Sequence, residues 1–296
     1  MTFQPETVGF IGIGLMGRPM ALRLLAADAR LVVWGRTPGK LRDVLAAGAE
    51  FAEAPAAVAQ RASVVITCVS DTAAVEAVVF GPCGVAEGGS AGKVLVDMST
   101  IQPRRSRELA EQLRAQTGMG WVDAPVSGGP SAAAAGTLAV MAGGDPADFE
   151  RVEPVLRHLA GGLTLMGPPG AGQTTKMVNQ VIVGGCKSVI AEAIQLAMNA
   201  GLDARRLPEA LAGGRADSVL LRQSIPKMVS GDFSPAGRLR TVLKDLDLVM
   251  ELAGETGTPM PMTGLATQLH RMMITHGHAD SDSTAVIALL RDRPLL

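Results

Sequence analysis

Three glycines near the start of the chain constrain its fold more than any other feature. Gly12, Gly14 and Gly17 follow the apolar run 8–11 and precede a helix-like run, Arg18–Ala27. In this order the first glycine allows a tight turn, the second lets the backbone approach a phosphate, and the third lets the helix pack on the strand. The helix N-terminus then offers unpaired N–H groups to an anion. The pattern predicts a dinucleotide pyrophosphate site. The residues between the glycines, Ile13, Leu15 and Met16, belong to the same predicted turn.

Short strand-like runs alternate with helical segments from residue 7 to about residue 167. The predicted strands are Thr7–Ile11, Leu31–Trp34, Val64–Val69, Lys93–Asp97, Trp121–Asp123, Leu138–Met141 and Leu163–Met166. The predicted helices between them are Arg18–Ala27, Lys40–Ala47, Thr72–Val79, Arg104–Gln116 and Pro146–His158. This alternation predicts an α/β domain with a doubly wound, mostly parallel sheet, in which ligands bind beyond the carboxyl ends of the strands.

The pattern changes at the breaker cluster Gly167-Pro168-Pro169-Gly170, and we place the domain boundary there, with domains at 1–168 and 169–296. The second domain is predicted to be all-helical. Its helices are Thr174–Ala200, Leu207–Leu211, Val219–Val229, Leu239–Thr256, Met262–His276 and a short one after Asp282-Ser283. The first of these is interrupted by Gly184-Gly185 and is too apolar for a surface helix, so we expect its neighbours or another subunit to bury it.

Composition excludes several classes of function. Hydrophobic residues make up 47% of the 296-residue chain and the net charge is −1, which gives no electrostatic case for nucleic-acid or membrane partners. The start of the chain is polar and no apolar run approaches the roughly 20 residues of a membrane span, so we expect neither a secretory signal nor a membrane segment. Three scattered cysteines, Cys68, Cys83 and Cys186, favour reduced thiols and a cytoplasmic location. The absence of tyrosine excludes tyrosine-dependent proton transfer.

The end of the second predicted strand bears on the choice of dinucleotide. A carboxylate there would bind a ribose 2′-hydroxyl, but the sequence has Trp34-Gly35-Arg36-Thr37, with Lys40 close behind. Arg36 can form a bidentate pair with a 2′-phosphate, so we favour NADP over NAD and place Arg36 and Thr37 in the cofactor site. The alternative is that Arg36 is a solvated loop arginine or stacks on adenine.

A second segment that could bind a ligand follows the strand Trp121–Asp123. Ser127, Gly128 and Gly129 place paired glycines beside a serine, and such a bend exposes successive N–H groups suited to a carboxylate. An ordinary Gly-Gly turn is the competing interpretation.

A third segment carries an unusual lysine. Lys176, Asn179 and Gln180 share one helix face by their spacing, but apolar residues flank them. A lysine on a mostly buried helix is costly unless it is paired or used, and burial lowers the pKa of a lysine towards the range of proton transfer. The alternative is a lysine whose amine extends to solvent near the helix start.

Two further charged segments have plain interpretations. Lys244-Asp245-Leu246-Asp247-Leu248 is explained by a surface charge cluster when taken alone. His276-Gly277-His278 is typical of a helix C-terminus, and no further ligand spacing completes a metal site there, so we expect no metal.

Taken together, these segments resemble those of the β-hydroxyacid dehydrogenases, the family of 3-hydroxyisobutyrate dehydrogenase and tartronate semialdehyde reductase, related to 6-phosphogluconate dehydrogenase. The resemblance rests on Gly9–Gly17, Asp123–Gly129, Gly170–Gln180 and Lys244–Leu246, in the family's order and spacing over nearly the whole chain. It implies an N-terminal Rossmann domain and a long connecting helix leading into a helical domain, in a homodimer or homotetramer.

The resemblance also implies roles for single residues. Lys176 would be the catalytic acid/base, Ser127, Gly128 and Gly129 would bind the substrate carboxylate or hydroxyl, and Asn179 and Gln180 would orient the substrate. Lys244 would lie near both nicotinamide and substrate, and Thr100 would touch the nicotinamide. We also assign Val69 and Ser70 to the cofactor site. Two positions depart from the family: many members have two adjacent asparagines at 179 and 180, and an asparagine frequently replaces Gly35.

The expected activity is hydride transfer between NAD(P) and a small 3-hydroxy acid or its semialdehyde. Tartronate semialdehyde, methylmalonate semialdehyde, succinic semialdehyde, glyoxylate and serine-like hydroxy acids all remain open as substrates. An imine reductase is one alternative, although such relatives usually replace the lysine. A non-catalytic dinucleotide-binding protein is the other, although such relatives carry extensions that we do not expect here.

Overall fold

The computed structural model describes residues 7–291, and these divide into two compact units, the first ending at Lys176 and the second beginning at Met177. We predicted a boundary at residue 168, in the Gly-Pro-Pro-Gly turn. The division by packing falls inside the helix that follows this turn, because the first residues of that helix pack within the first unit.

The described part of the first unit holds nine strands and eight complete helices. The strands are β1 (Thr7–Ile11), β2 (Arg30–Trp34), β3 (Glu50–Phe51), β4 (Val64–Thr67), β5 (Val94–Asp97), β6 (Gly120–Asp123), β7 (Val126–Ser127), β8 (Leu138–Gly144) and β9 (Ala160–Leu165). The helices are α1 (Gly17–Leu25), α2 (Arg42–Ala46), α3 (Pro55–Arg61), α4 (Thr72–Phe80), α5 (Val85–Gly88), α6 (Pro103–Thr117), α7 (Gly129–Ala135) and α8 (Pro146–Arg157).

The nine strands form one sheet in the order β3-β2-β1-β4-β5-β6-β8-β7, with β9 paired to β8. Strands from β3 to β6 are all parallel, whereas β8 runs antiparallel to both β6 and β7. The order reverses between β1 and β4, which is the topological switch point where such sheets bind ligands. The predicted doubly wound Rossmann sheet is therefore confirmed.

Alternate residues of each central strand bury opposite faces of this sheet. Val8 and Phe10 of β1 belong to one apolar cluster, and Ile11 belongs to the other. Helices cover both faces, so the parallel strands read as continuous apolar runs. The elements β3, β7, α3, α5 and α7, which are all short, were not predicted from the sequence.

The second unit is helical in its described part. Its helices are the main length of α9 (Ala171–Asn199), then α10 (Leu207–Ala210), α11 (Val219–Ser230), α12 (Leu239–Thr256) and α13 (Pro261–Thr275), followed by a 3₁₀ segment, Ser283–Leu290. Ile194, Met228 and Ile287 are buried at the centre of its main apolar cluster. An isolated bridge joins Arg238 to Asp282.

Helix α9 differs from its prediction in two respects. It runs without interruption through Gly184, where a Cβ would lie 2.7 Å from a methyl carbon of Leu246, so the glycine there permits close packing with α12. The helix leaves Val178, Ile182 and Leu196 exposed in the single chain, so burial of this face by another subunit stays a prediction. It is also long and apolar enough to cross a membrane by length and composition, contrary to the expectation above, although a core helix of a soluble protein meets the same criterion.

Candidate active site

The turn between β1 and α1 contains three glycines, of which packing requires two and leaves the third open. Gly12 has φ +103°, and a Cβ there would lie 2.2 Å from the carbonyl oxygen of Cys68. A Cβ on Gly17 would lie 2.0 Å from the carbonyl oxygen of Gly12. A Cβ on Gly14 would meet no protein atom within 4 Å. The open surface at Gly14 fits the backbone approach that a pyrophosphate requires.

The N-terminus of α1 is also suited to an anion. Met16 precedes the helix without a side-chain cap, and the first turn contains no acidic residue. The first N–H groups of a helix lack intrahelical acceptors, and the helix dipole places partial positive charge there. Ile13 is buried under the turn, whereas Leu15 is 47% exposed.

Further predicted cofactor residues follow the strands on either side. Arg36 and Thr37 are exposed directly after β2. Val69 follows β4, and its N–H donates to Ser99 Oγ at 2.9 Å. Ser70 Oγ donates to Asp71, whose carboxylate caps α4 at the N–H of Ala74. These residues lie at the carboxyl edge of the parallel sheet, where Thr100 also follows β5.

The predicted serine–diglycine bend follows β6 and the short strand β7. Gly128 and Gly129 have φ +133° and +73°, so two successive residues adopt conformations that favour glycine. Ser127 pairs with Ala139 of β8, which fixes the start of the bend to the sheet.

Lys176 is buried, with 7% of its surface exposed, although its side chain carries an amine. Its Nζ donates to the carbonyl oxygen of Val126 at 2.8 Å. Val126 immediately precedes Ser127, so the amine lies beside the bend within the first unit. The alternative of an amine that extends to solvent is inconsistent with this burial.

The remaining predicted residues belong to the second unit and are linked through one carboxylate. Asn179 Nδ2 donates to Gln180 Oε1 at 2.8 Å, and Gln180 Nε2 donates to Asp245 at 2.6 Å. Lys244 Nζ lies 3.1 Å from the other oxygen of Asp245, which is 5% exposed. The charge cluster at 244–248 is therefore more than a solvated surface, because Asp245 is buried and holds Gln180.

Two polar residues of the first unit were not predicted as site residues. Asp123 and Gln173 are both fully buried and connect the start of α9 to the ends of β6 and β5. Burial raises the pKa of Asp123 to about 7, and nearby Asp97 adds to this, although the N–H groups of Gly170 and Gln173 oppose the rise. Asp123 and Gln173 lie inside the segments Asp123–Gly129 and Gly170–Gln180, and this position is the sequence signal that could have identified them as site residues. Among residues 7–291, no group of three or more His, Cys, Asp and Glu is arranged to hold a metal ion.

Comparisons with known proteins agree with this arrangement. Residues 7–167 match the NAD binding domain of 6-phosphogluconate dehydrogenase, and residues 170–290 match the domain described as NAD-binding of NADP-dependent 3-hydroxyisobutyrate dehydrogenase. The chain is 37% identical to the 2-hydroxy-3-oxopropionate reductase of Escherichia coli over 284 residues. This matched region covers 96% of each of the two chains.

Solved structures show the same similarity over the full fold. A 3-hydroxyisobutyrate dehydrogenase from Salmonella typhimurium matches with TM-score 0.88 and 30% identity, over 96% of this chain and 99% of that one. Psf3 in complex with NADP+ and 2-OPP matches with TM-score 0.88 and 27% identity, over 96% of this chain and 100% of that one. The glycine turn, the sheet topology and these matches show that the chain belongs to the β-hydroxyacid dehydrogenase family and is an NAD(P)-dependent oxidoreductase.

Proposed function

We propose that this enzyme transfers hydride reversibly between NADP(H) and a small 3-hydroxy acid or its semialdehyde, with Lys176 as general acid/base. The observation that carries the proposal is the buried amine of Lys176, 2.8 Å from the Val126 carbonyl oxygen and next to Ser127. A buried ammonium or amine beside a bend rich in N–H groups is suited to proton exchange with a substrate oxygen.

In this mechanism the bound dinucleotide supplies the hydride acceptor or donor. The bend Ser127-Gly128-Gly129 would hold the substrate carboxylate through its N–H groups and the serine hydroxyl. Lys176 would take the proton of the substrate hydroxyl during oxidation and return it to the carbonyl oxygen during reduction. Holding carboxylate and oxygen together fixes which carbon faces the cofactor, and such orientation accounts for much of an enzymatic rate enhancement.

The contact of the Lys176 amine with Val126, the residue before Ser127, bears on the size of the substrate. Because the bend and the amine meet at Val126 and Ser127, we expect a carboxylate within a few bonds of the reacting carbon. The relatives named 2-hydroxy-3-oxopropionate reductase and 3-hydroxyisobutyrate dehydrogenase support this size of substrate. By the family resemblance, Asn179 and Gln180 would orient the substrate and Lys244 would lie near both nicotinamide and substrate, and these roles stay predictions.

Replacing Lys176 tests the proposal directly. We expect Lys176→Ala to bind NADPH as the wild type does and to lose turnover of 2-hydroxy-3-oxopropionate by on the order of 10²–10⁴-fold, the usual contribution of a general acid or base. Lys187→Met is the matched control, because Lys187 is a second, partly buried lysine on α9 and donates to Ser283 Oγ within the second unit. Lys176→Ala with near wild-type turnover would refute the role.

The assay should compare three substrate types under identical conditions. NADPH consumption with semialdehydes, with glyoxylate and with cyclic imines separates the proposed reductase from an imine reductase. Tight NADPH binding without consumption on any of them would favour a non-catalytic dinucleotide-binding protein instead.

The preference for NADP rests on the residues after β2. Arg36 is exposed there, and the segment 34–40 contains no carboxylate that would repel a 2′-phosphate. The related structure with NADP+ supports the same choice. Arg36→Asp should lower affinity for NADPH far more than affinity for NADH, and equal loss for both would contradict this assignment.

Self-association would cover the exposed apolar face of α9. Val178, Ile182, Val189 and Leu196 are each more than half exposed, and their spacing places them along one stripe about 27 Å long. A single chain rarely leaves such a contiguous apolar surface in water. The identical stripe on a second copy supplies an apolar surface of matching length, and a homodimer formed this way would still leave other surfaces for a tetramer.

A further inference from the structure

The start of α9 is bound to the end of β6 by one buried carboxylate. Asp123 Oδ1 accepts the N–H of Gly170 at 2.7 Å, and Asp123 Oδ2 accepts the N–H of Gln173 at 2.8 Å. The first N–H groups of a helix have no intrahelical acceptor, so each oxygen satisfies a donor that would otherwise be buried unpaired. The helix therefore begins at a position fixed by the sheet.

The side chain of Gln173 makes a second connection from the same helical turn. Its Nε2 donates to the carbonyl oxygen of Ser99 at 2.8 Å, and its Oε1 accepts the N–H of Ile101 at 3.1 Å. These two backbone groups lie on either side of Thr100, the predicted nicotinamide contact. Gln173 thus holds the loop after β5 to the first turn of α9.

Two glycines show how closely this turn packs on the sheet. A Cβ on Gly172 would lie 2.4 Å from the carbonyl oxygen of Met141, and a Cβ on Gly143 would lie 2.6 Å from the backbone nitrogen of Gly172. Backbone meets backbone at this contact, so there is no room for a side chain between the helix start and the sheet.

Lys176 lies three residues beyond Gln173, and its amine returns to Val126, three residues beyond Asp123. The segment from Asp123 to Val126 therefore contacts both the start of α9, through Asp123, and the amine of Lys176, through Val126. We propose that Asp123 and Gln173 are positioning residues that set where the amine of Lys176 and the loop of Thr100 stand relative to each other. This inference rests on the proposed role of Lys176.

The test uses Asp123→Asn and Gln173→Glu in the full chain. Asparagine keeps one acceptor and turns an N–H towards the second helix N–H. Glutamate keeps the acceptor for Ile101 and places an oxygen against the Ser99 carbonyl. We expect kcat to fall by about 10²-fold in each, as for a displacement of order 1 Å, while the Kd for NADPH and the KM change little. Amide hydrogen exchange over 170–176 should accelerate in Asp123→Asn.

The matched control is Asp145→Asn, which makes the same carboxylate-to-amide change at the start of α8, where Asp145 accepts the N–H of Ala147 at 2.9 Å and no predicted site residue lies. This control should keep kcat. Faster exchange with unchanged kcat, or a loss of kcat with unchanged exchange, would overturn the inference. If Asp123→Asn does not fold, Gln173→Glu carries the same test through its kcat and NADPH binding.

The two proposals fail in different ways. If Lys176→Ala keeps near wild-type turnover, the proposed function is wrong whatever the other variants do. If Lys176→Ala loses turnover and both positioning variants keep it, the catalytic role of Lys176 stands and this inference is wrong.

Discussion

The α-carbon of Gly17 faces the carbonyl oxygen of Gly12 so closely that a Cβ would lie 2.0 Å from that oxygen. This contact joins the end of β1 to the first residue of α1. Gly12 and Gly17 are therefore required by the packing of the protein itself. A Cβ on Gly14 would meet no protein atom within 4 Å, so packing does not require a glycine there.

The glycines should therefore respond differently to the same substitution. Gly14→Ala should fold with wild-type stability and lose at least tenfold in NADPH affinity, because the added methyl group occupies space that we assign to the pyrophosphate. Gly17→Ala should lose about 1–3 kcal/mol of stability or more, because the methyl group meets backbone. Urea unfolding and NADPH titration of both variants check this. Full NADPH affinity in a folded Gly14→Ala protein would contradict the assignment.

Much of the first unit was predictable because its signals are local. Buried parallel strands read as apolar runs, and the glycine turn fixes the strand and helix beside it, so β1, β2, β4, β5 and β6 were all predicted. The two-residue strands β3 and β7 were not, since two residues carry no period and form only by pairing with a longer strand.

The candidate site shows where local signals end. Lys176 and the bend at Ser127 stood out as unusual residues in apolar or glycine-rich surroundings, and the family resemblance then predicted their roles. The contact between them, through Val126, spans 50 positions along the chain and depends on how the first turns of α9, up to Lys176, pack on the sheet. Asp123 and Gln173 were overlooked for the same reason: a carboxylate or amide in a motif does not reveal which distant N–H group it holds.

Asp123 should give the enzyme a distinctive dependence of stability on pH. Burial raises its pKa from 3.8 to about 7, so between these values the folded chain holds a proton that the unfolded chain releases. This contribution to stability is fully present below the unfolded value and is lost as pH rises through 7, up to about 4 kcal/mol at 1.4 kcal/mol per pKa unit. Asp123→Asn cannot titrate.

Urea unfolding of wild type and Asp123→Asn at pH 5 and pH 8 measures this effect. The wild type should lose free energy of unfolding relative to Asp123→Asn as the pH rises from 5 to 8. Parallel pH profiles for the two proteins would show that Asp123 does not titrate in this range.

Two helical glycines in the second unit should give opposite results on substitution by alanine. Gly184 packs against buried Leu246, and a Cβ would lie 2.7 Å from its nearest methyl carbon, so Gly184→Ala should destabilise by about 1–3 kcal/mol. Gly254 of α12 has no atom within 4 Å of a Cβ, so Gly254→Ala should stabilise by about 0.5–1 kcal/mol through helix propensity. Thermal and urea unfolding decide this, and a stabilised Gly184→Ala protein would contradict the close packing of α9 on α12.

The exposed stripe on α9 predicts the assembly state of the enzyme. Ile182→Glu and Leu196→Glu each place a charge on this stripe, where Ile182 and Leu196 are 59% and 70% exposed in one chain. Because burying an unpaired carboxylate in an apolar interface is costly, either variant should shift the protein from dimer or tetramer towards monomer at micromolar concentration. Leu202→Glu is the control, since Leu202 is 60% exposed but lies beyond the end of α9. Light scattering coupled to size exclusion measures the mass of each variant. If wild type is monomeric, or if Leu202→Glu dissociates the assembly as readily as Ile182→Glu, the stripe is not the interface.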